Sequence, residues 1–393
     1  MAISYKEAKE IALSSAKTVV KSEIIDISNA LNRVIARDID AARDLPPYNN
    51  SAMDGFAFRH SDIKNNLKIV ATVYAGDIQE AILNQNECYR IMTGAKVPSD
   101  ADTIVPIEFC KVNKEFVKIQ NDIKKGNALR LKGEELKVGQ SIIKRGEILT
   151  YDKIALLASQ GVTKVEVYKK LKIAIVASGN EIKEPWEKAN SDEVYNINSI
   201  NIKMLLESYG FYSDYKGKLA DNLEDIVNFV ATLKEYDVII TTGGISAGDA
   251  DFTKEAFIKN GLKELFHGVR IKPGHPTMFG VMDKTFIMAM PGNPLAAILN
   301  FILLGIETLY KLQGSNSFEF KRCRVKMAKD LKLKSGRVNI VLGKIKNRYF
   351  IPYNDNKYGS GMIVPLVNSS VIAIFEEDIS LVKQDSEIEV VLL

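Results

Sequence analysis

Cysteine, histidine and tryptophan are scarce in this chain: three, three and one among 393 residues. Cys88, Cys110 and Cys323 lie far apart and are odd in number. That excludes a disulfide framework and zinc-ligand spacing, and points to a reducing compartment. His60, His267 and His275 are equally scattered, so no histidine-based metal centre is legible. A dominant sign of charge is lacking too. The net charge of +4, from 53 basic and 49 acidic residues, demands neither nucleic acid nor an anionic membrane as partner. No basic stretch followed by an apolar core opens the chain. The longest apolar run, near 295–306, contains Asn300 and reads as too short to span a bilayer. These absences predict a cytoplasmic protein with no nucleic-acid or membrane partner.

What is present is organised in blocks, as the length alone leads one to expect of a multidomain chain. Ser4-Tyr5-Lys6-Glu7 fits a capping box. Residues 1–40 predict two helical segments, the second carrying Leu31, Val34 and Ile35 at helical spacing. Residues 41–136 break into short β-like runs separated by Gly, Pro, Asn and Asp, which predicts a β-rich domain. Residues 137–168 return to mixed structure, with a helix closed by Gly161 and then a strand. Between 169 and 312 strands alternate with helices, which predicts a mostly parallel sheet. There, Asn198 or Ser199 is placed as one helix cap and Asp221 as another. Asn293 and Pro294 are placed as N-cap and first residue of a long helix. Gln313-Gly314-Ser315-Asn316-Ser317 reads as a linker, and 317–393 as a small β domain.

In an open α/β sheet, ligands bind beyond the C-terminal strand ends. Three such ends carry unusual loops. One is Ser178-Gly179-Asn180-Glu181. The second follows Val238-Ile239-Ile240 and runs through Thr241, Thr242, Gly243, Gly244, Ser246 and Gly248 to Asp249 and Asp251. The third is Pro291-Gly292-Asn293-Pro294. Small residues before a helix can present backbone N–H groups to an anion. The acids fit beside a phosphate only with a cation between them. Two carboxylates ~4 Å apart repel by ~4 kcal/mol at an effective dielectric near 20. If Glu181, Asp249 and Asp251 share the rim, an all-oxygen site with phosphate suits Mg²⁺ better than Zn²⁺. Lys272, in Ile271-Lys272-Pro273-Gly274-His275-Pro276, adds a cation for a phosphate or another oxyanion. Singly, each loop also reads as ordinary structure: a tight turn, a solvated acid, a helix start, a surface lysine. Their delivery to one rim carries more weight.

DLPPYNNSAMDGFAF, RIMTGAKVP, VASGNEI, TTGGISAGDADFTK, IKPGHP and MPGNP stand in this order along the chain. Together they resemble the molybdopterin molybdenumtransferases, the MoeA-type enzymes of molybdenum cofactor synthesis, to which the gephyrin E domain is similar. The resemblance covers nearly the whole chain. It implies a three-layer α/β domain of the molybdenum cofactor-binding type (169–312), a β-rich domain (41–136), a discontinuous helical and mixed region (1–40 and 137–168) and a C-terminal β-barrel (317–393). It implies a cytoplasmic homodimer whose α/β domain faces the β-rich region of the other subunit, and transient contact with other proteins of the same synthesis. The implied reaction inserts molybdenum from molybdate into adenylyl-molybdopterin, with Mg²⁺-dependent cleavage of the anhydride and release of AMP.

The same resemblance implies roles for residues. Asp54, Thr93, Glu181, Asp221, Asp251 and Lys272 match functional positions. Glu181, Asp249 and Asp251 are assigned to the metal. Gly243, Gly244, Ser246, Gly248, Pro291, Gly292, Asn293 and Ser360 are assigned to the bound pterin nucleotide. Many relatives carry lysine at the positions of His275 and Gly268, and Arg270 is the candidate to restore that charge. An arginine that some relatives carry in the last domain is not evident after Gly336-Arg337-Val338-Asn339-Ile340. Two alternatives stay open: a molybdopterin adenylyltransferase, similar to the α/β domain alone, and a non-catalytic pterin-binding scaffold.

Overall fold

The strands Ile173–Ala177, Val238–Thr242 and Thr285–Met290 are buried along their whole length. A strand with both faces covered needs no polar alternation, which is why these segments read as continuous apolar runs. The computed structural model describes residues 2–77, 82–219, 222–244 and 252–393. They form two units. Met1–Arg37, Arg145–Ala155 and Thr163–Leu393 make the first, and Asp38–Lys144 with Leu156–Val162 the second.

The first unit holds the α/β domain. Its elements are β1 (Ile173–Ala177), α1 (Asn198–Ser208), β2 (Ser213–Lys218), α2 (Leu223–Thr232), β3 (Val238–Thr242), α3 (Phe252–Lys259), β4 (Leu262–His267), β5 (Met278–Met282), β6 (Thr285–Met290) and α4 (Pro294–Asn300). The sheet order is β2-β1-β3-β6-β5-β4. The first four strands are mutually parallel, and β5 and β4 join by antiparallel pairs. Alternate side chains feed opposite cores. Ile173, Ile175, Val238, Ile240 and Met288 pack with Ile202 of α1 and Leu295 of α4. Ala174, Val176, Ile239 and Ile287 pack with Val230 of α2 and Phe257 of α3. The result is a three-layer domain.

Several local expectations are corrected. No second helix forms around Val34 and Ile35. Both are fully buried, and adjacent residues can bury opposite faces when the chain is extended. Val34 bridges to Ile148 and Ile35 to Val167, while Ser22–Asp26 pairs antiparallel with Lys164–Tyr168. The N-cap of helix α1 is Ile197 rather than Asn198 or Ser199, and one residue before it Asn196 Oδ1 accepts from the Ser199 N–H at 3.2 Å. Asp221 lies outside the described residues. The cap of α2 is Asn222, which accepts from the Asp225 N–H at 2.9 Å.

The run read as too short for a bilayer also needs correction. Helix α4 continues through a π-helical stretch, Phe301–Ile306, into Glu307–Leu312. The resulting 19-residue helix is long and apolar enough to cross a membrane by length and composition. Its apolar window is 89% buried inside the protein, so it is a core helix. Asn300 interrupts it for a reason. Fully buried, its Nδ2 donates to Gly274 O at 2.7 Å and to Thr277 Oγ1 at 2.5 Å, pinning the turn that carries Lys272. Asn300→Ala is expected to cost about 1–3 kcal/mol in a urea titration, because the buried Thr277 hydroxyl oxygen loses its donor and Gly274 O keeps only the Thr277 hydroxyl.

The last domain is a closed barrel. Val338–Lys346 pairs with both Tyr349–Pro352 and Val371–Phe375, and Arg322–Met327 and Glu387–Leu392 complete the ring. Gln313 and Ser315, read as linker, are buried. The second unit contains a mixed six-stranded sheet, in the order Thr103–Pro106, Gly55–Phe58, Glu87–Ile91, Asn66–Val73, Phe116–Ile119, Cys110–Asn113. Burial there pushes the Cys88 thiol up to about 12 and that of Cys110 up to about 11, so neither is a thiolate nucleophile at neutral pH.

Candidate functional site

Register aligns the three strand-end loops. Ala177 of β1 lies opposite Thr242 of β3, and Thr242 opposite Met290 of β6. The ladder continues one step past the strands. The Ser178 N–H donates to Thr242 O at 2.9 Å, and the Gly243 N–H to Met290 O at 3.1 Å. All three loops therefore leave the sheet at one level, and they line one cleft of about 770 Å³. Glu181, Gly243, Gly244, Pro291, Gly292, Asn293 and Ser360 all contribute to it. Its volume suits a cofactor-sized ligand.

Each wall is held from behind. Asn198, at the start of α1, donates from Nδ2 to Gly292 O at 2.8 Å. Ser360 reaches the cleft from the barrel domain, with its carbonyl accepting from the Leu295 N–H at 3.0 Å. Asn293 caps α4 through its backbone, and its side chain makes no capping bond. The α4 N-terminus, with its partial positive charge, thus opens onto the cleft. Gly243 and Gly244 have φ of +80° and +66°. A side chain at either would be strained, and the loop passes so close to Ser178 that none would fit. Among the described lining residues Glu181 is the sole carboxylate, and no histidine or cysteine is present. Its carboxylate lies over Gly179, where an added Cβ would come within 3.0 Å of Oε2.

Lys272 lies next door. It lines a pocket of about 370 Å³ that shares Gly274, Pro276, Asn293 and Ser360 with the main cleft. Ile271–Lys272 pairs parallel with Val338–Asn339 at the barrel's edge. That pairing brings Arg337 into the same lining. Sequence reasoning passed over Arg337 because nothing in its local pattern separates it from an ordinary turn arginine. Tyr358, which also lines this pocket, was missed for a similar reason, and Asn198 was placed only as a helix cap. Arg270, expected to replace lost charge, does not line this pocket. Its Nε pairs with Glu377 at 2.9 Å, and its Nη1 donates to Ala2 O. His275 does line it, with Nδ1 3.0 Å from Val269 O.

Asp54 and Thr93 belong to the second unit. Asp54 Oδ1 accepts from the Thr93 hydroxyl and the Thr93 N–H, both at 2.7 Å. These bonds, the hydroxyl first, hold the Asp54 carboxyl below the usual carboxylate range. Whatever stability the contact gives is present above the unfolded carboxyl's value and disappears as pH falls through the lower folded value. Thr93→Val should raise the Asp54 titration toward the ordinary range, as read by carbon-13 NMR. Ser246, Gly248, Asp249 and Asp251, like Asp221, lie outside the described residues.

Residues 3–161 match the profile of the MoeA N-terminal region (domain I and II). Residues 174–311 match a profile described as "Probable molybdopterin binding domain". The chain is 32% identical over 317 residues to a molybdopterin molybdenumtransferase of Haemophilus influenzae, covering 80% of this chain and 78% of the relative. It is 29% identical over 382 residues to the protein of that name from Staphylococcus epidermidis, covering 94% and 91%. Among solved structures, a molybdopterin biosynthesis moeA protein from Pyrococcus horikoshii is similar over all of both chains, with a TM-score of 0.86 and 25% identity. A second one from that organism has a TM-score of 0.78 and 27% identity, covering 100% and 99%.

Proposed function

Because the chain belongs to the molybdopterin molybdenumtransferase (MoeA) family, we propose that it inserts molybdenum from molybdate into adenylyl-molybdopterin and releases AMP. One observation carries this reading. The three strand-end loops meet in a cleft onto which a helix N-terminus opens, and it adjoins a second pocket lined by Lys272 and Arg337. Two substrates of different kinds, a pyrophosphate-linked pterin nucleotide and a tetraoxo dianion, call for two such adjoining sites.

The cleft suits the anhydride. Gly243 and Gly244 let backbone approach it without side-chain obstruction, and the start of α4 favours negative charge. Magnesium fits the donor chemistry here. The lining is oxygen-rich, and Mg²⁺ commonly takes one or two carboxylates together with phosphate oxygens and water. Among the described residues no group of three His, Cys, Asp or Glu could hold a metal. Glu181 is thus the described residue that would hold the ion, with Asp249 and Asp251 assigned beside it. When bound, the ion neutralises charge on the anhydride oxygens. Lys272 and Arg337 draw in and orient the oxyanion. Anhydride cleavage needs charge stabilisation more than a covalent nucleophile, and no nucleophilic constellation is required. Asp54 and Thr93 are assigned to substrate handling, and Asp221 joins them.

The active species is proposed to be a cytoplasmic homodimer working with other proteins of cofactor synthesis. Full-length protein is incubated with adenylyl-molybdopterin, molybdate and Mg²⁺. AMP release that requires both molybdate and Mg²⁺ is the expected result. Release indifferent to molybdate would contradict the reading. ATP-driven adenylylation of molybdopterin would favour the adenylyltransferase alternative. No turnover of any kind would favour the scaffold.

A further inference from the structure

Beyond the Lys272 pocket lies a third depression, about 480 Å³, on the barrel side of the first unit. The two share Lys272, Asn339 and Asn356, so they form one continuous groove. Besides Lys272, four lysines and two aspartates line the outer part. The aspartates are committed: Asp355 pairs with Lys329, and Asp330 with Lys383 at 3.2 Å. Lys332, Lys334 and Lys357 make no salt bridge among the described residues, and all three are exposed. Lys357 does act on Asp355 electrostatically, adding to the pull of Lys329. The turn between the pockets is fixed. Asn354, Asp355 and Asn356 all have positive φ, and Asn354 Nδ2 donates to Lys357 O at 2.8 Å.

A surface normally interleaves its charges or pairs them. Here three unpaired lysines face a groove that ends at a further cation, Lys272. A cleft with an excess of one sign of charge focuses the field and raises the local concentration of a counter-ion. Its occupant must be small, strongly anionic and destined for the Lys272 pocket.

We propose that Lys332, Lys334 and Lys357 form an electrostatic approach channel that delivers a dianionic tetraoxo oxyanion to the Lys272 pocket. The channel raises the rate of capture and takes no part in chemistry. This proposal rests on the molybdate reading above. Its signature is kinetic and salt-dependent, because exposed charges more than a Debye length apart, about 10 Å at 0.1 M salt, are largely screened.

The test is the triple variant K332Q/K334Q/K357Q in the full chain, with K332R/K334R/K357R as charge-preserving control and thermal melting as the check on folding. At low ionic strength kcat/KM for molybdate is expected to fall roughly tenfold in the glutamine variant, with kcat at saturating molybdate unchanged. Its salt dependence should flatten, while the arginine variant keeps the wild-type slope. Wild-type kcat/KM and salt slope in the glutamine variant would overturn the proposal. So would an equal fall in kcat, which would mean that these lysines serve the reaction itself. If wild-type protein shows no molybdate-dependent turnover, the functional reading fails separately. Stopped-flow capture of molybdate, tungstate and sulfate then decides on the channel. Slower, salt-insensitive capture in the glutamine variant upholds it, and unchanged capture overturns it.

Discussion

Glu181→Gln is expected to lower molybdate-dependent AMP release by about 10²–10³-fold. Protein stability should be unaltered, because an exposed substitution away from special structure shifts stability by only about 0.5 kcal/mol. Glu181 is exposed at the cleft and is its sole described carboxylate. Glutamine keeps its shape and removes its charge. The backbone role of this residue also survives, since the Glu181 carbonyl accepts from the Val194 N–H at 2.9 Å whatever the side chain. The loss should therefore appear as weakened Mg²⁺ dependence and reduced kcat, with an unshifted melting temperature. Full activity in this variant would remove Glu181 from the site and leave the cleft without an assigned described ligand for a cation.

Gly243→Ala should act through structure instead. The new Cβ would lie 2.4 Å from Ser178 O, and the backbone φ is +80°. Left-handed backbone costs an L-residue roughly 1–2 kcal/mol before any clash is counted. The clash is with main chain, which cannot rotate away. A total of about 2–4 kcal/mol is expected in denaturant titration, with turnover lost as the loop leaves its register. Gly292→Ala is the comparison. Its Cβ would meet only the Gly243 Cα, at 3.6 Å, which is ordinary contact. Its stability should stay within about 0.5 kcal/mol of wild type. Equal destabilisation by both substitutions would mean that close approach to Ser178 does not decide the loop's geometry.

Much of the α/β domain could be read directly, because both faces of its strands are buried and the chain announces this in runs such as Lys172–Ala177 and Thr285–Met290. The three loops could be placed on one rim because a parallel sheet sends its C-terminal ends to the same side. Two kinds of feature resisted. Extended segments without alternation, such as Val34–Ile35, have no period of their own and borrow their shape from Ile148 and Val167 across the chain. Residues recruited by distant pairing were invisible as well. Arg337 enters the Lys272 pocket only because Val338–Asn339 runs alongside Ile271–Lys272. Asn300 looked like an interruption of an apolar run, yet its amide fixes the turn that bears Lys272. The error over Arg270 has the same root, since Glu377 lies 107 residues away in sequence.

The central claim is that the nucleotide occupies the cleft of Gly243, Glu181 and Asn293 while molybdenum meets it from the Lys272 pocket. A crystal of the protein soaked with adenylyl-molybdopterin and molybdate, measured at the molybdenum absorption edge, tests this most directly. The expected map has an anomalous peak between Lys272 and Ser360, with the phosphates against Gly243 and Gly244. Molybdenum bound away from the Lys272 pocket, or phosphates away from the three strand ends, would contradict it.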